Sequence, residues 1–523
     1  MSATRVRQRS RSRRPEILQK PAGVIHVRVQ KVGPEHFGIV GVDCAKARSK
    51  WMLCDFFGNV LIAPLVVEHN RADLEAAVGR LRQAQQVHAL DDLIVAVERT
   101  GRYHHIVRQV FAAAGYEVRI VHPFTTKRYR QISDPGNKTD DTDLAAIHRA
   151  AVNGFALLER PVEPLWRELQ LLVRHRRDLV FKTSALSAQI REHLEAALPG
   201  FASCFDKLWD RALAWALLRH FESAPAMHAA GLPKLLELLR RQQVRFQRPT
   251  VERVLAWAGQ AAPRDEAATL HRRIALALYE DRTRKTQEIL ERERDIAGYL
   301  TQTPYVLLLS FPGINVVSAA DFAGEMGPIG NYANARCITG RAGLCPSRHQ
   351  SDQVDLRNGP LRRCGNRRLR AAILGIADNL IVCNHHFNAL AVHWRAAGKD
   401  PRHTHVKVAQ RFCRIAYQMV AGGQVFHHPA LQQRHYILDK LLAFHRQHDT
   451  PMPQTLTGLQ TAVGHIPSSA HADEAKPLAA ELLRIHAGRR RGPQRLGDIL
   501  PHVLARLGVG ALQSIESGER DST

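Results

Sequence analysis

Phe37-Gly-Ile-Val-Gly-Val-Asp43 and Leu93-Ile-Val-Ala-Val97-Glu98 decide the fold class of this chain. Each is a short apolar run, rich in β-branched residues, that stops on a carboxylate, which reads as a buried strand with an acid at its end. Lys50-Trp-Met-Leu-Cys-Asp55 and Val60-Leu-Ile-Ala-Pro-Leu-Val66 lie between them, separated by the turn-like Phe57-Gly58-Asn59. The first three runs therefore predict an antiparallel meander. Asn70 is placed to cap a helix through about Gln85, with Leu74, Val78 and Leu81 on one face. After Glu98 the pattern predicts a helix over 102–114, a strand Glu117-Val-Arg-Ile-Val121, and a helix from Thr139 to about Asn153. Three strands followed by alternating helix and strand make a mixed α/β sheet with helices packed against it.

The acids at these strand ends are the first candidates for chemistry. Ends of neighbouring strands would set Asp43 and Glu98 side by side. Asp140 and Asp143 are three residues apart and share a helix face, whereas Asp141 points about 100° away. Taken singly, each acid reads as a cap or a surface charge; Asp140 could simply complement the helix dipole. Four converging carboxylates repel one another unless cations lie between them, and hard oxygen ligands suit Mg²⁺ or Mn²⁺. Such ions can hold a phosphodiester and stabilise its entering and leaving oxygens.

This order of acids resembles the RNase H-like core of the RuvC resolvases. Gly41-Val-Asp43-Cys-Ala-Lys46, Glu98-Arg-Thr-Gly101 and Asn137-Lys-Thr-Asp140-Asp-Thr-Asp143-Leu-Ala145 resemble the three blocks of the DEDD insertion-sequence transposases, recombinases guided by a bridge RNA. A second region resembles the C-terminal transposase domain of the same family. It comprises Gly343-Leu-Cys-Pro346-Ser347-Arg-His-Gln-Ser351-Asp352 and Gly359-Pro-Leu-Arg-Arg363-Cys-Gly365-Asn366-Arg-Arg-Leu369-Arg370. In that family a serine of the first block is the nucleophile, and aligning the block ends puts it at Ser351, with Ser347 as the fallback. Asp352 and Arg363 stand where the family usually has Gly and Lys. Upstream, Leu309-Ser-Phe-Pro312-Gly313-Ile314-Asn315 reads like a helix-hairpin-helix turn that could present backbone N–H groups to phosphate, with Asn315 in place of a usual second Gly.

The bulk composition fits nucleic-acid work. The 523 residues carry 74 Lys and Arg against 49 Asp and Glu, a formal +25. An excess of this size attracts polyanions, DNA or RNA above all. Eight arginines (341, 348, 357, 362, 363, 367, 368, 370) crowd the serine region, and Arg348, Arg362, Arg363, Arg367 and Arg370, with Gly313, are the candidate nucleic-acid contacts. The eight cysteines are scattered with no CxxC pair, which argues for reduced thiols rather than a disulfide framework or zinc knuckle. No apolar run approaches a membrane span and no secretory signal follows the N-terminal arginines, so a cytoplasmic protein is expected, and the resemblance implies a bacterial, nucleoid-associated one.

The expected domains are a basic disordered arm over 1–35, the RuvC-like DEDD domain over 36–157, a helical bundle region over 158–300, the mainly α serine transposase domain over 301–425, and a helical and polar extension over 426–523. Within the extension, 447–478 reads as a linker. The stripe Leu165, Leu169, Leu172, Leu179, Leu186, Ile190 and Leu194 reads as one long amphipathic helix, either internal core or a dimer contact. The resemblance implies cleavage and rejoining of DNA through a phosphoserine link, a guide RNA, and a dimer or tetramer in which the two catalytic domains meet between subunits. Two other readings stay open: a resolvase-like nuclease using the carboxylates alone, and a non-catalytic nucleic-acid-binding relic.

Overall fold

The computed structural model describes residues 22–478 apart from 134, 160, 161, 264, 352, 353, 357, 358, 363, 430–433, 471 and 475. The chain divides into two compact units, with the boundary between residues 161 and 162. No helix among the described residues is long and apolar enough to cross a membrane.

The first unit is a six-stranded mixed sheet, as its alternating apolar runs require. Strands β1 (Phe37–Cys44), β2 (Arg48–Asp55), β3 (Val60–Glu68), β4 (Asp92–Glu98), β5 (Glu117–Val121) and β6 (Ala156–Leu158) lie in the order β3-β2-β1-β4-β5-β6. The first three form the expected antiparallel meander. β4 then pairs parallel with β1, and β5 with β4, while β6 returns antiparallel. Five helices, α1 (His26–Val32), α2 (Arg71–Val87), α3 (His104–Ala113), α4 (Pro123–Ser133) and α5 (Asp140–Val152), complete the unit. Strand alternation divides the core in two. Val40, Val42, Val95 and Val97 pack with residues of α2 and α3, whereas Phe37, Ile39, Ile94 and Ala96 pack with Ile147, Ala150 and Ala151 of α5. Gly41 lets α5 come close, because a Cβ there would stand 3.3 Å from the Leu144 carbonyl oxygen.

Residues 22–35 correct one expectation. The basic arm does not extend to residue 35, for α1 is folded, with Ile25 and Val29 buried. The Arg28 guanidinium donates to Asp92 on β4 and to Glu117 on β5. Two apolar residues and one paired arginine suffice to dock a single short helix, a signal that the surrounding basic residues obscure. Residues 1–21 lie outside the described residues.

The second unit is largely helical. Its frame is a long pair, α6 (Pro164–Ala197) and, after α7 (Ala212–His220), α8 (Ala224–Arg241) and α9 (Arg248–Gly259), α10 (Ala268–Thr301). The pair is antiparallel. Trp166, Leu169 and Val173 at the start of α6 share a core with Ile296, Ala297 and Leu300 at the end of α10, while Ile190 and Leu194 pack with α7 to α9 and with Leu276 and Tyr279 of α10. The amphipathic stripe is thus internal core: Leu169, Leu179, Leu186, Ile190 and Leu194 are all buried within the chain.

The remaining elements are α11 (Val316–Met326), α12 (Ala335–Ala342), β7 (His349–Ser351), β8 (Val354–Leu356), α13 (Arg367–Cys383), α14 (His385–Ala396), α15 (Pro401–Gly422), α16 (Ile437–Gln447) and α17 (Met452–Val463). The stretch expected as a linker is instead part of the core, with Leu459, Ala462, Ile466 and Leu478 buried. Pro453 sits in the first turn of α17, where its missing N–H costs no hydrogen bond, so proline there opens a helix rather than breaking one.

Candidate active site

Asp43 and Glu98 project to the same face of the sheet. Both follow the side-chain parity of the residues that meet α5, and the parallel register Val42↔Val97 makes them neighbours. α5 begins over this corner. Thr139 caps it, its hydroxyl accepting from the Thr142 N–H while the Thr142 hydroxyl accepts from the Thr139 N–H. That cap fixes the first turn, on which Asp140, Asp141 and Asp143 stand. Asp143 is buried and ion-pairs with Arg130 of α4, while Asp141 turns away to Lys50 of β2 at 2.7 Å. The pitch of the helix separates Asp141 from the other two, as its sequence position implies.

The acids feel one another. Burial, then the charges of Asp143 and Asp140, push the Asp43 carboxyl above the usual carboxylate range; a hydrogen bond with Glu98 and the charge of Lys138 oppose this. Glu98 is raised as well, first by burial and then by Asp43 and Asp143. The corner therefore holds more negative charge than its own cations, Arg130 and Lys138, offset. Its donors are all hard oxygens, a set that fits Mg²⁺ or Mn²⁺. Among the described residues, no three of these acids bring donor atoms within 4.8 Å of one another; His104, His105 and Glu159 meet that spacing instead.

In the second unit, Ser351 is exposed and pairs with Val354 at the inner end of the two-stranded ribbon β7–β8. Ser347 is at the stem, where its hydroxyl donates to the Pro360 carbonyl at 2.9 Å and its backbone pairs with residues 359 and 360. Asp352 and Arg363 lie outside the described residues. Arg348, Arg362 and Arg367 are exposed, as a phosphate contact needs. Arg370 is differently employed, donating to the carbonyls of Ala342, Arg362 and Cys364 and so bracing the loop from inside.

Asn366 caps α13 and donates to buried Glu325 of α11, whose carboxylate also takes both arms of the Arg174 guanidinium from α6. These bonds hold the Glu325 carboxyl below its usual range despite burial. The Pro312–Gly313 turn is packed rather than open. A Cβ on Gly313 (φ +89°) would lie 3.0 Å from the Asn379 carbonyl oxygen, and Lys440 donates to the carbonyls of Phe311 and Ile314. Asn315 explains its departure from glycine, since it caps α11 by accepting from the Ser318 N–H at 2.8 Å.

Family models match both regions: a DEDD transposase domain over residues 40–199 and a transposase domain of the IS116/IS110/IS902 family over 305–391. The chain belongs to this insertion-sequence transposase family. It is 26% identical over 340 residues to an uncharacterized 44.8 kDa protein of insertion element IS116 from Streptomyces clavuligerus, covering 63% of this chain and 81% of the relative. An uncharacterized 42 kDa protein of IS900 from Mycobacterium paratuberculosis is 25% identical over 403 residues, 74% of this chain and 96% of the relative. The two matched regions take in the acid corner of the first unit and the serine ribbon of the second.

Arg130 and Glu325 are the neighbours of the two family blocks that the sequence reading missed. α4 offered no clear apolar stripe, and Arg130 lies on it. Glu325 sits between Gly324 and Met326 in an apolar helix. An acid there signals a buried partner, and that signal was available.

Proposed function

We propose that the chain cuts and rejoins DNA at the ends of a mobile element by phosphoryl transfer. In this reading Asp43, Glu98, Asp140 and Asp143 hold Mg²⁺ or Mn²⁺, and Ser351 is the nucleophile. The observation that carries it is the convergence of Asp43, Glu98, Asp140 and Asp143 in one another's electrostatic field, at a corner short of compensating positive charge. Divalent ions held there would neutralise phosphate oxygens and the charge that develops on them.

The serine choice is supported by the contrast between an exposed Ser351 on a ribbon and a Ser347 hydroxyl already committed to Pro360. Ser351 Oγ gives up its proton and bonds to phosphorus as the bond from phosphorus to the leaving deoxyribose oxygen breaks. That oxygen takes a proton. The phosphoserine link keeps the energy of the broken bond, so an oxygen of another strand can attack it and restore both serine and DNA. Arg348, Arg362, Arg363 and Arg367 steady the phosphates, and Arg370 holds their loop in shape. The family resemblance adds a guide RNA and assembly of copies of the chain, as a dimer or tetramer, to bring serine and acids together.

The test is to incubate the full chain with Mg²⁺, DNA carrying the element ends and RNA transcribed from the element, then to look for protein–DNA adducts. The wild type and Ser347→Ala form a serine-linked adduct, and Ser351→Ala forms none. Cleavage without an adduct, retained by Ser351→Ala, would instead identify a carboxylate-only nuclease.

A further inference from the structure

Just beyond Glu98, α3 opens on two histidines. His104 is 1% exposed, and neither ring nitrogen has a hydrogen-bond partner. Burial first, and then the neighbouring His105, push the His104 imidazole below the usual histidine range, and Glu159 and the Thr100 backbone only partly oppose this. A buried imidazole with both nitrogens idle has lost its hydration and gained nothing in return, which calls for a ligand at the site. His105 lies against it, ring centroids 4.2 Å apart. Glu159, at the exit of β6, completes a group in which one donor atom from each residue lies within 4.8 Å of the others.

We propose that His104, His105 and Glu159 form a binding site for a zinc-class divalent ion, distinct from the carboxylate corner. Two neutral imidazoles and one carboxylate are a borderline set, which prefers Zn²⁺ or Co²⁺ to Mg²⁺ and leaves a fourth position for water. Zinc bonds of about 2.0–2.2 Å ask the three donors to draw together by side-chain rotation. Arg108 donates to one oxygen of Glu159, an outer hydrogen bond of the kind that orients metal-bound carboxylates. Arg99 and Arg108 bring positive charge to this corner, so affinity rests on the imidazoles rather than on net charge. A bound ion would tie the start of α3 to the end of β6 and so fix residues 99–103, the loop that leaves Glu98.

The full chain is stripped with chelator, loaded with Zn²⁺, desalted, and assayed for retained metal; a parallel sample is titrated with Co²⁺ and read by visible absorption. His105→Ala and Glu159→Gln, both at partly exposed positions, are compared with Asp43→Asn. The expected result is one zinc equivalent retained by the wild type and by Asp43→Asn but lost from His105→Ala and Glu159→Gln, with the Co²⁺ bands lost in parallel. Equal retention in wild type, His105→Ala and Glu159→Gln overturns the proposal. So does loss from Asp43→Asn alone, which would assign the ion to the carboxylate corner.

Discussion

The acids and the serine are supported in opposite ways. Asp43 and Glu98 sit at the ends of adjoining central strands, with Asp140 and Asp143 on a capped helix turn that glycine at position 41 allows to approach. Backbone built for other reasons fixes these positions, and the result is a crowd of like charges. Ser351 stands on a ribbon whose strands are three residues each, and its support is side-chain work: Arg370 on three carbonyls, Asn366 and Arg174 on Glu325. One site is rigid and electrostatically strained; the other is braced and relaxed. Under the proposed function the difference has a use, since carboxylates that share an ion need fixed spacing, whereas a nucleophile must travel to phosphorus.

That contrast can be broken from either side. The largest effect is expected at the crowded corner. Asp43→Asn should lower strand cleavage by about 10³-fold or more, as loss of transition-state electrostatics does. It should also raise the melting temperature in metal-free buffer, because it removes a buried like charge; the pairing of these two readouts is the check. Glu325→Ala should do the reverse, costing about 3–5 kcal/mol of stability by leaving the Arg174 guanidinium without its buried partner. The urea midpoint of the second unit would then fall.

Glu474 sharpens the contrast between crowding and bracing. Burial pushes its carboxyl up to about 7, although the Leu438 N–H donates to it at 3.0 Å. An acid raised in the folded state contributes stability below its unfolded value, and loses it as pH climbs from about 4.5 toward 7. Glu474→Gln should match the wild type near pH 4 and exceed it by roughly 3 kcal/mol above pH 7, checked by urea unfolding across that range. The smallest effect is Arg370→Met, expected to cost about 1–2 kcal/mol. Its clearer mark should be faster hydrogen exchange over 343–366 with no change around Asp43.

The sheet and its acids were legible because strand period, terminal carboxylates and the Thr139 cap are local signals. Asp43, Glu98 and the Asp140–Asp143 spacing could be read from residues a few positions apart. What escaped was tertiary. Arg370 looks like a phosphate contact in a row of arginines, and only the folded loop shows three carbonyls claiming it. Leu459 and Ala462 lie in a proline-punctuated stretch, and only the core they enter identifies it as helix α17. Arg28 was one basic residue among many until Asp92 and Glu117 came beside it.

Manganese binding tests the corner most directly. Mn²⁺ titrated into the full chain and followed by electron paramagnetic resonance should bind at a site that disappears in the Asp43→Asn, Glu98→Gln double variant while the fold, judged by circular dichroism, remains. Undiminished Mn²⁺ binding by that folded variant would contradict the assignment of these acids as the metal-holding residues.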